Sequence, residues 1–432
     1  MSDLAVRNIV ATIGGPESTP GTAETREYVL PIRAMPGLGE NPEKIEDPII
    51  TGNNMTKGEI TVAKNVSGDL QLSPRCCGGF GQILNGALGQ ESAPTQIAAC
   101  IRVRYTGSDA SCDIAANTSS DQLTSDTGDK GSESGDAAWG TAGVIDLTDL
   151  STDTVGELVT EIDGYSDYDC EKVFGSDSTD AGDIIDITTA QGKSRWVYIW
   201  FSSSDSGYYL HKWPVVLTNT LRPVYSIQLD KMHDDRLFDG CAVSKLDLSA
   251  AVKALVEATA SIVGFVETTD AITPSDLDLE DVNPLIFSQG SLTIGEHEFT
   301  DTRKIALSIE NALGTEGYGM GSLSRQSHRV PTVGVSGSMS IRYDSDIFGF
   351  RTNVFDDAVV GISLYFKANS DFATDIPQLL LIDIPYAQLK RLSEEDNAGI
   401  MDVALEILAT NPDGAYSDPI TVYMITDDSG AY

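Results

Sequence analysis

The stretch Val66-Ser67-Gly68-Asp69-Leu70-Gln71-Leu72 returns 269 residues later as Val335-Ser336-Gly337-Ser338-Met339-Ser340-Ile341, with its apolar residues in the same phase and a glycine at the same place. Successive side chains of a strand point to opposite faces. A period of two puts Ile60, Val62, Val66, Leu70 and Leu72 on one side of the first copy, and Val333, Val335, Met339 and Ile341 on the matching side of the second. Both copies therefore predict half-buried strands. Leu72 is followed by Pro74 and then by Phe80, Ile83, Leu84 and Leu88 at helical spacing; Ile341 is followed by Asp344 and then by Ile347, Phe348, Phe350 and Val354. Each half reads as strand, break and short amphipathic helix. Agreement in residue class, phase and following element points to an internal duplication, against the plainer alternative of two unrelated strands in one large protein.

A chain of 432 residues is long enough for two or three domains with real cores, and 41% hydrophobic residues is ordinary globular usage. The charge is the outlier. With 65 acidic against 28 basic residues the net charge is −37, which repels polyanions and anionic membranes and disfavours tight nucleic-acid binding. No basic region followed by an apolar run opens the chain, and nowhere do about twenty apolar residues run together, so a soluble cytosolic species is expected. The six cysteines, Cys76, Cys77, Cys100, Cys112, Cys170 and Cys241, lack metal-ligand spacing and read as buried thiols, with Cys112 and Cys170 near enough in sequence to meet within one segment.

Taken in order, the chain predicts a first β domain from 1–105 and 194–269, opening with an arm that has one extended candidate at Val6 to Ile13. The Pro- and Gly-rich run from Met35 to Asn54 is expected to be a long loop without a regular element. Strands are expected at Tyr28 to Ile32, Ile97 to Tyr105, Arg195 to Phe201, Trp213 to Leu217 and Val224 to Leu229, with a helix from Cys76 to Gly89. Residues 106–193, rich in Ser, Thr, Asp and Gly, read as an inserted acidic α/β module, in which Asp153 or Thr154 caps a helix carrying Val155, Leu158, Val159 and Ile162. In a later return strand Val256, Ala258, Ala260, Ile262 and Val266 share one face, while Glu257, Thr259 and Ser261 take the wet one. Residues 270–283 suit a linker. The second β domain, 284–432, contains strands at Ile305 to Ile309, Val359 to Phe366, Leu379 to Ile384, Met401 to Ala409 and Pro419 to Ile425. A mobile loop from Gly314 to His328 is expected before its copy of the repeated strand.

The familiar catalytic patterns are missing. Gly78-Gly79-Phe80-Gly81 invites a phosphate-loop reading, but Leu84 stands where a dinucleotide fingerprint needs glycine and no Lys-Ser or Lys-Thr pair follows, so a loop-to-helix joint is the better account. His211, His233, His297 and His328 are scattered without a second ligand and read as surface or interface residues. The acidic pairs Asp234-Asp235 and Glu394-Glu395 are common as solvated turns in so acidic a chain. No Gly-x-Ser-x-Gly elbow occurs, and neither a catalytic centre nor a cofactor is expected.

The order of several soft motifs resembles the tail tube proteins of long-tailed bacteriophages. They are Ile9 to Thr12 with Glu17 to Thr22; Gly58 to Pro74 and Phe80 to Gly89; Pro284-Leu285-Ile286-Phe287; and Ile382 to Tyr386. Thr152 to Tyr165 is similar to a small module inserted in several phage virion proteins. The resemblance implies a mainly β chain, a β-sandwich or partial barrel with a flanking helix, whose sheets join neighbouring copies into rings around an inner β-barrel. The rings would stack into a virion tail tube, built in the host cytoplasm, through which the genome leaves. It implies tail terminator and tail tip proteins as partners and a tape measure protein inside the tube, with no membrane partner. Usual members carry one such domain in hexameric rings, so two in tandem imply a trimeric, pseudo-hexameric ring.

An acidic inner wall would let DNA slide without binding, with Glu257, Asp402 and Glu406 as candidate lumen-lining acids by strand alternation. Gly37, Gly39, Gly314, Gly317 and Gly319 mark the loops expected to reach the next ring. A monomeric adhesin or carbohydrate-binding β protein using the acidic insertion, and a hydrolase built on the acidic pairs, are the competing readings.

Overall fold

The structure, a computed structural model, describes residues 9–46, 58–149, 151–193, 195–204, 206–216, 222–230, 235–269, 279–313, 317–330, 332–342, 359–397, 400–410 and 418–432, with backbone alone at 391, 392, 395–397, 400 and 401. Eight strands carry the architecture: β1 Gly39–Glu46, β2 Glu59–Leu72, β3 Arg236–Ala251, β4 Glu257–Gly264, β5 Thr302–Asn311, β6 Val333–Arg342, β7 Ile376–Asn397 and β8 Ile400–Ala409. They lie side by side, antiparallel throughout, in the order β1-β2-β4-β3-β5-β6-β8-β7. The fold is mainly β, with two α-helices among the described residues.

The repeated sequence stretch lies in β2 and β6, and its alternation is set by burial. Val66, Leu70 and Leu72 in β2, and Val335, Met339 and Ile341 in β6, are all buried in one continuous core. Removing each such side chain from water contributes roughly 1.5–3 kcal/mol. The two halves of the sheet are also connected alike. In each, a first strand pairs with the strand bearing the repeat, the chain leaves, and it returns as a hairpin whose second arm packs beside the repeat strand. The returning strands β3 and β7 slip register at corresponding places, between Val243 and Lys245 in one and between Leu389 and Arg391 in the other. A bulge adds an unpaired residue and strengthens the local twist, so both hairpins bend at the same point.

Helix α1, Gly78–Leu88, is buried along its whole length, including Gln82 and Asn85, rather than along one stripe. Its glycines admit close neighbours: Gly79 lies against the Val29 carbonyl and Gly81 against the Tyr432 ring. The Gly78 N–H donates to Glu280 Oε1 at 2.8 Å, so a carboxylate of the chain itself occupies the helix N-terminus. Gly89, at φ 109°, ends the helix in the left-handed conformation that glycine adopts readily. Residues Ile347 to Val354, where a second such helix is expected, lie outside the described residues, as do Val6, Asp234 and most of 270–283.

Residues 111–191 build a separate five-stranded sheet and helix α2, Val155–Asp163. Thr154 caps this helix: Glu157 N–H donates to Thr154 Oγ1 at 3.4 Å, and the hydroxyl donates to the Glu157 carboxylate at 2.8 Å. The core of this region also takes Ala99, Ile101, Val103, Val197, Ile199 and Phe201 from two flanking strands, beyond the 106–193 limits read from composition.

Several expectations are corrected. Residues 39–46 form a regular strand despite Pro42, because an edge strand hydrogen-bonds on one side only and tolerates a missing N–H. Ile60 and Val62 are exposed, since this end of β2 extends past the core as a hairpin with β1. Val266 is half-buried and lies beyond a break after Gly264, where Phe265 takes the buried place. His211 and His328 are buried; His211 is held by Glu91 Oε1 at 2.5 Å. All six cysteines are, as expected, buried and free, and burial pushes the Cys112 thiol up to about 11.

The shared glycine has two different reasons. A Cβ at Gly68 would sit 2.3 Å from the Gly37 carbonyl oxygen and 2.5 Å from the Leu38 Cα, both backbone atoms of the adjoining edge segment. At Gly337 the closest atoms are the Ala306 carbonyl oxygen at 2.9 Å and the flexible end of Ile407 at 3.0 Å. Gly68→Ala should cost about 2–3 kcal/mol and Gly337→Ala about 1 kcal/mol, read as loss of thermal stability.

Candidate assembly interface

One junction within the chain shows how two such four-stranded groups can meet. Strand β3 of the first group pairs with β5 of the second over Lys245↔Glu310, Leu246↔Ile309, Asp247↔Ser308, Leu248↔Leu307 and on to Ala251↔Lys304. Leu246, Leu248, Leu307 and Ile309 are buried on the core side. A polar clamp closes one end. Asn311 Nδ2 donates to the Ala87 carbonyl at 2.8 Å and the Val243 carbonyl at 3.0 Å, while its Oδ1 accepts from Arg222 Nη2 at 3.1 Å. Arg222 Nη1 donates to the Leu88 carbonyl at 2.6 Å, at the negative end of α1. Burial pulls the Arg222 guanidinium down to about 10. Sequence reading missed this clamp. Its one signal is Asn311 standing where the alternation of Leu307 and Ile309 calls for an apolar residue.

Among the described residues, the two ends of the eight-stranded run are open. On the edge of β3 that faces β5, residues 236–241 are covered by the strand Tyr225–Asp230, and β5 takes over from Lys245. On the corresponding edge of β7, the strand Val359–Ala373 gives cover as far as Gln388. Beyond Leu389 no strand among the described residues pairs with that edge. At the other end, β1 pairs with β2 alone among the described residues. The edge is partly guarded, since the Glu40 N–H donates to Glu267 Oε2 at 2.6 Å. Nearby, Ile45 faces Ile60 across the β1–β2 hairpin, and both are 58% exposed.

The face of the sheet turned away from the core is lined mainly by short hydroxylated side chains and charges of both signs. Glu257 and Asp402 stand at equivalent places on β4 and β8, opposite Ser249 and Glu395 respectively. Each is close to an arginine: Glu257 forms an ion pair with Arg33, and Asp402 Oδ1 lies 3.9 Å from Arg303 Nε. Asp402 is only 2% exposed, against its expected outward position. Glu406 is exposed and borders a shallow groove with Asp247, Ser249, Ser308, Ser338 and Lys390. The side chains of Ser261 and Asp69, on the same face, bond to each other at 2.7 Å. The three acids thus share a face without forming a cluster.

The candidate loop glycines divide. Gly37 lies along β2, its N–H donating to the Asp69 carbonyl at 3.1 Å; Gly39 opens β1; Gly314 lies outside the described residues. Gly317 and Gly319 belong to a segment that packs against the first half instead of moving freely. The Lys64 N–H donates to the Leu323 carbonyl at 2.8 Å, and Tyr318 Oη donates to the Lys64 carbonyl at 3.4 Å. His328 anchors the segment, its ring stacked on Phe265 at 4.6 Å and its Nε2 2.8 Å from the Gly240 carbonyl. Burial lowers the His328 pKa to about 4. Its neutral form is favoured in the fold, so this contribution is complete above the unfolded value near 6.5 and is lost as pH falls from there toward about 4, by at most about 3 kcal/mol. The hydrogen-exchange protection factors of residues 317–330, taken relative to the intrinsic exchange rate at each pH, should fall as pH is lowered across that window, and His328→Gln should flatten the pH dependence.

No curated protein sequence matches the chain. The family model described as phage tail tube protein matches residues 10–407, from the strand Val10–Pro16 into β8. The chain belongs to the phage tail tube protein family.

Proposed function

We propose that this structural, non-enzymatic protein of the virion tail self-assembles by joining the open ends of its sheet, copies closing into rings and rings stacking into a hollow tube. The observation that carries this reading is the β3–β5 junction, in which the chain already joins one four-stranded group to another edge to edge. A head-to-tail contact of this kind closes into a ring when its rotation fits a whole number of copies. Closure also removes the exposed edges that make a lone sheet prone to uncontrolled pairing.

The shared connectivity and matching bulges support reading the two halves as two tube units within one chain. Three copies then supply six units, and the ring is a homotrimer with pseudo-six-fold symmetry. The face that carries Glu257 and Glu406, with Asp402 buried within it, turns toward the bore. Its paired charges and hydroxyls offer DNA little to grip, and the net charge of −37 sets the long-range repulsion. Within such a tube the partners are a terminator and a tip at the two ends and a tape measure protein in the bore, and DNA passes without specific binding.

Negative-stain electron microscopy of the concentrated protein tests the reading. Hollow rings or tubes are expected. Dispersed particles that stay single at every concentration would overturn it and would favour a monomeric binding protein.

A further inference from the structure

We infer that the ring contact is a strand pairing of defined register: the free edge of β7 in one copy pairs antiparallel with β1 and its preceding residues in the next, Arg391 facing Asn41, Leu392 facing Glu40, Ser393 facing Gly39 and Glu394 facing Leu38. This deepens the proposed ring and rests on it.

The register follows from transferring the internal junction to the open ends. Val66 of β2 corresponds to Val335 of β6, and their neighbours on the first strand of each group are Glu40 and Ile309. Gly39 therefore corresponds to Ser308 and Leu38 to Leu307. On the returning strands the bulges fix the match: Lys245 and Leu246 directly follow the slip in β3, as Arg391 and Leu392 do in β7. Inside the chain Leu246 faces Ile309 and Asp247 faces Ser308. Replacing each residue by its counterpart gives Leu392 on Glu40 and Ser393 on Gly39.

Three local features of β1 suit this partner. The Gly37 N–H bonds inward to Asp69, and the Lys64 N–H, opposite Pro42, bonds away from β1. Antiparallel alternation then turns the backbone groups of Leu38, Glu40 and Pro42 outward. Pro36 and Pro42 carry no N–H and frame the window, so outward donors are offered at Leu38 and Glu40, and register slips beyond the window lose bonds. Gly39 stands between those donors with nothing within 4 Å of where its Cβ would be, which leaves room for a facing side chain. In the free subunit Glu267 holds the Glu40 N–H, and a carbonyl of the arriving strand replaces it.

The same transfer accounts for the exposed apolar pair on the hairpin. Within the chain the segment joining β5 to β6 crosses Lys64 of the other group. The corresponding β1–β2 hairpin would cross the neighbour near Val333, bringing Ile45 and Ile60 onto another copy.

Disulfide trapping tests the register. Ser393 and Gly39 fall at a non-hydrogen-bonded position, where facing side chains come closest, and the six native cysteines are buried. In assembled protein carrying Gly39→Cys and Ser393→Cys, mild oxidation should convert most chains into covalent dimers and closed trimers on non-reducing gels. Gly39→Cys with Glu394→Cys, whose side chains leave opposite faces, should stay monomeric. A mixture of the two single variants, Gly39→Cys and Ser393→Cys, should yield dimers containing one of each. Rings that form while the 39/393 pair stays uncrosslinked in both formats would overturn the register and leave the ring proposal standing. Wild-type protein that forms no rings would overturn both.

Discussion

An unpaired sheet edge is the constraint on which this molecule is built. Each outward backbone N–H and C=O on such an edge needs a partner, and a long, flat edge recruits whatever strand it meets. The chain meets that demand once internally, where β3 accepts β5 and the core runs unbroken beneath Leu246, Leu248, Leu307 and Ile309. Among the described residues it leaves the same demand open at β1 and at the far end of β7. Pro42, the Glu267 carboxylate and the short window between prolines keep the first of these from pairing indiscriminately. Edge protection and edge use are thus two sides of one arrangement, and self-association follows from it more directly than from any pocket or side-chain cluster.

Much of the fold could be read from the sequence wherever one face of a strand meets the core. Val66, Leu70 and Leu72, and Val335, Met339 and Ile341, alternate as expected because burial repeats every second residue. The reading fails where that cause is absent. Ile60 and Val62 keep the apolar phase but project beyond the core, and only the partner strand, not the pattern, reveals this. The run from Gly39 to Glu46 looks like a loop because Pro42 and its charges exclude a central strand, yet a strand bonded along one side accepts them. Asp402 shows the limit of alternation from the other direction, since it keeps the outward phase of β8 and is nevertheless buried, with an arginine of a different strand 3.9 Å away.

The junction itself was not legible. Which remote strands pair, and in what register, leaves no local mark, and the clamp of Asn311 on Arg222 joins residues 89 positions apart. His328 is similar. Nothing around it in sequence distinguishes a buried ring stacked on Phe265 from a solvated one. Conversely, the net charge of −37 says little about the sheet's wet face, where ion pairs and hydroxyls temper the acid excess.

The central claim is that two edge-joining units in one chain halve the number of copies a ring requires. Native mass spectrometry of isolated rings counts the copies directly. The account predicts a species of three chains, each of 46.1 kDa. A ring of six chains would contradict it, because one unit per chain would then suffice and the second half would lie outside the closed wall.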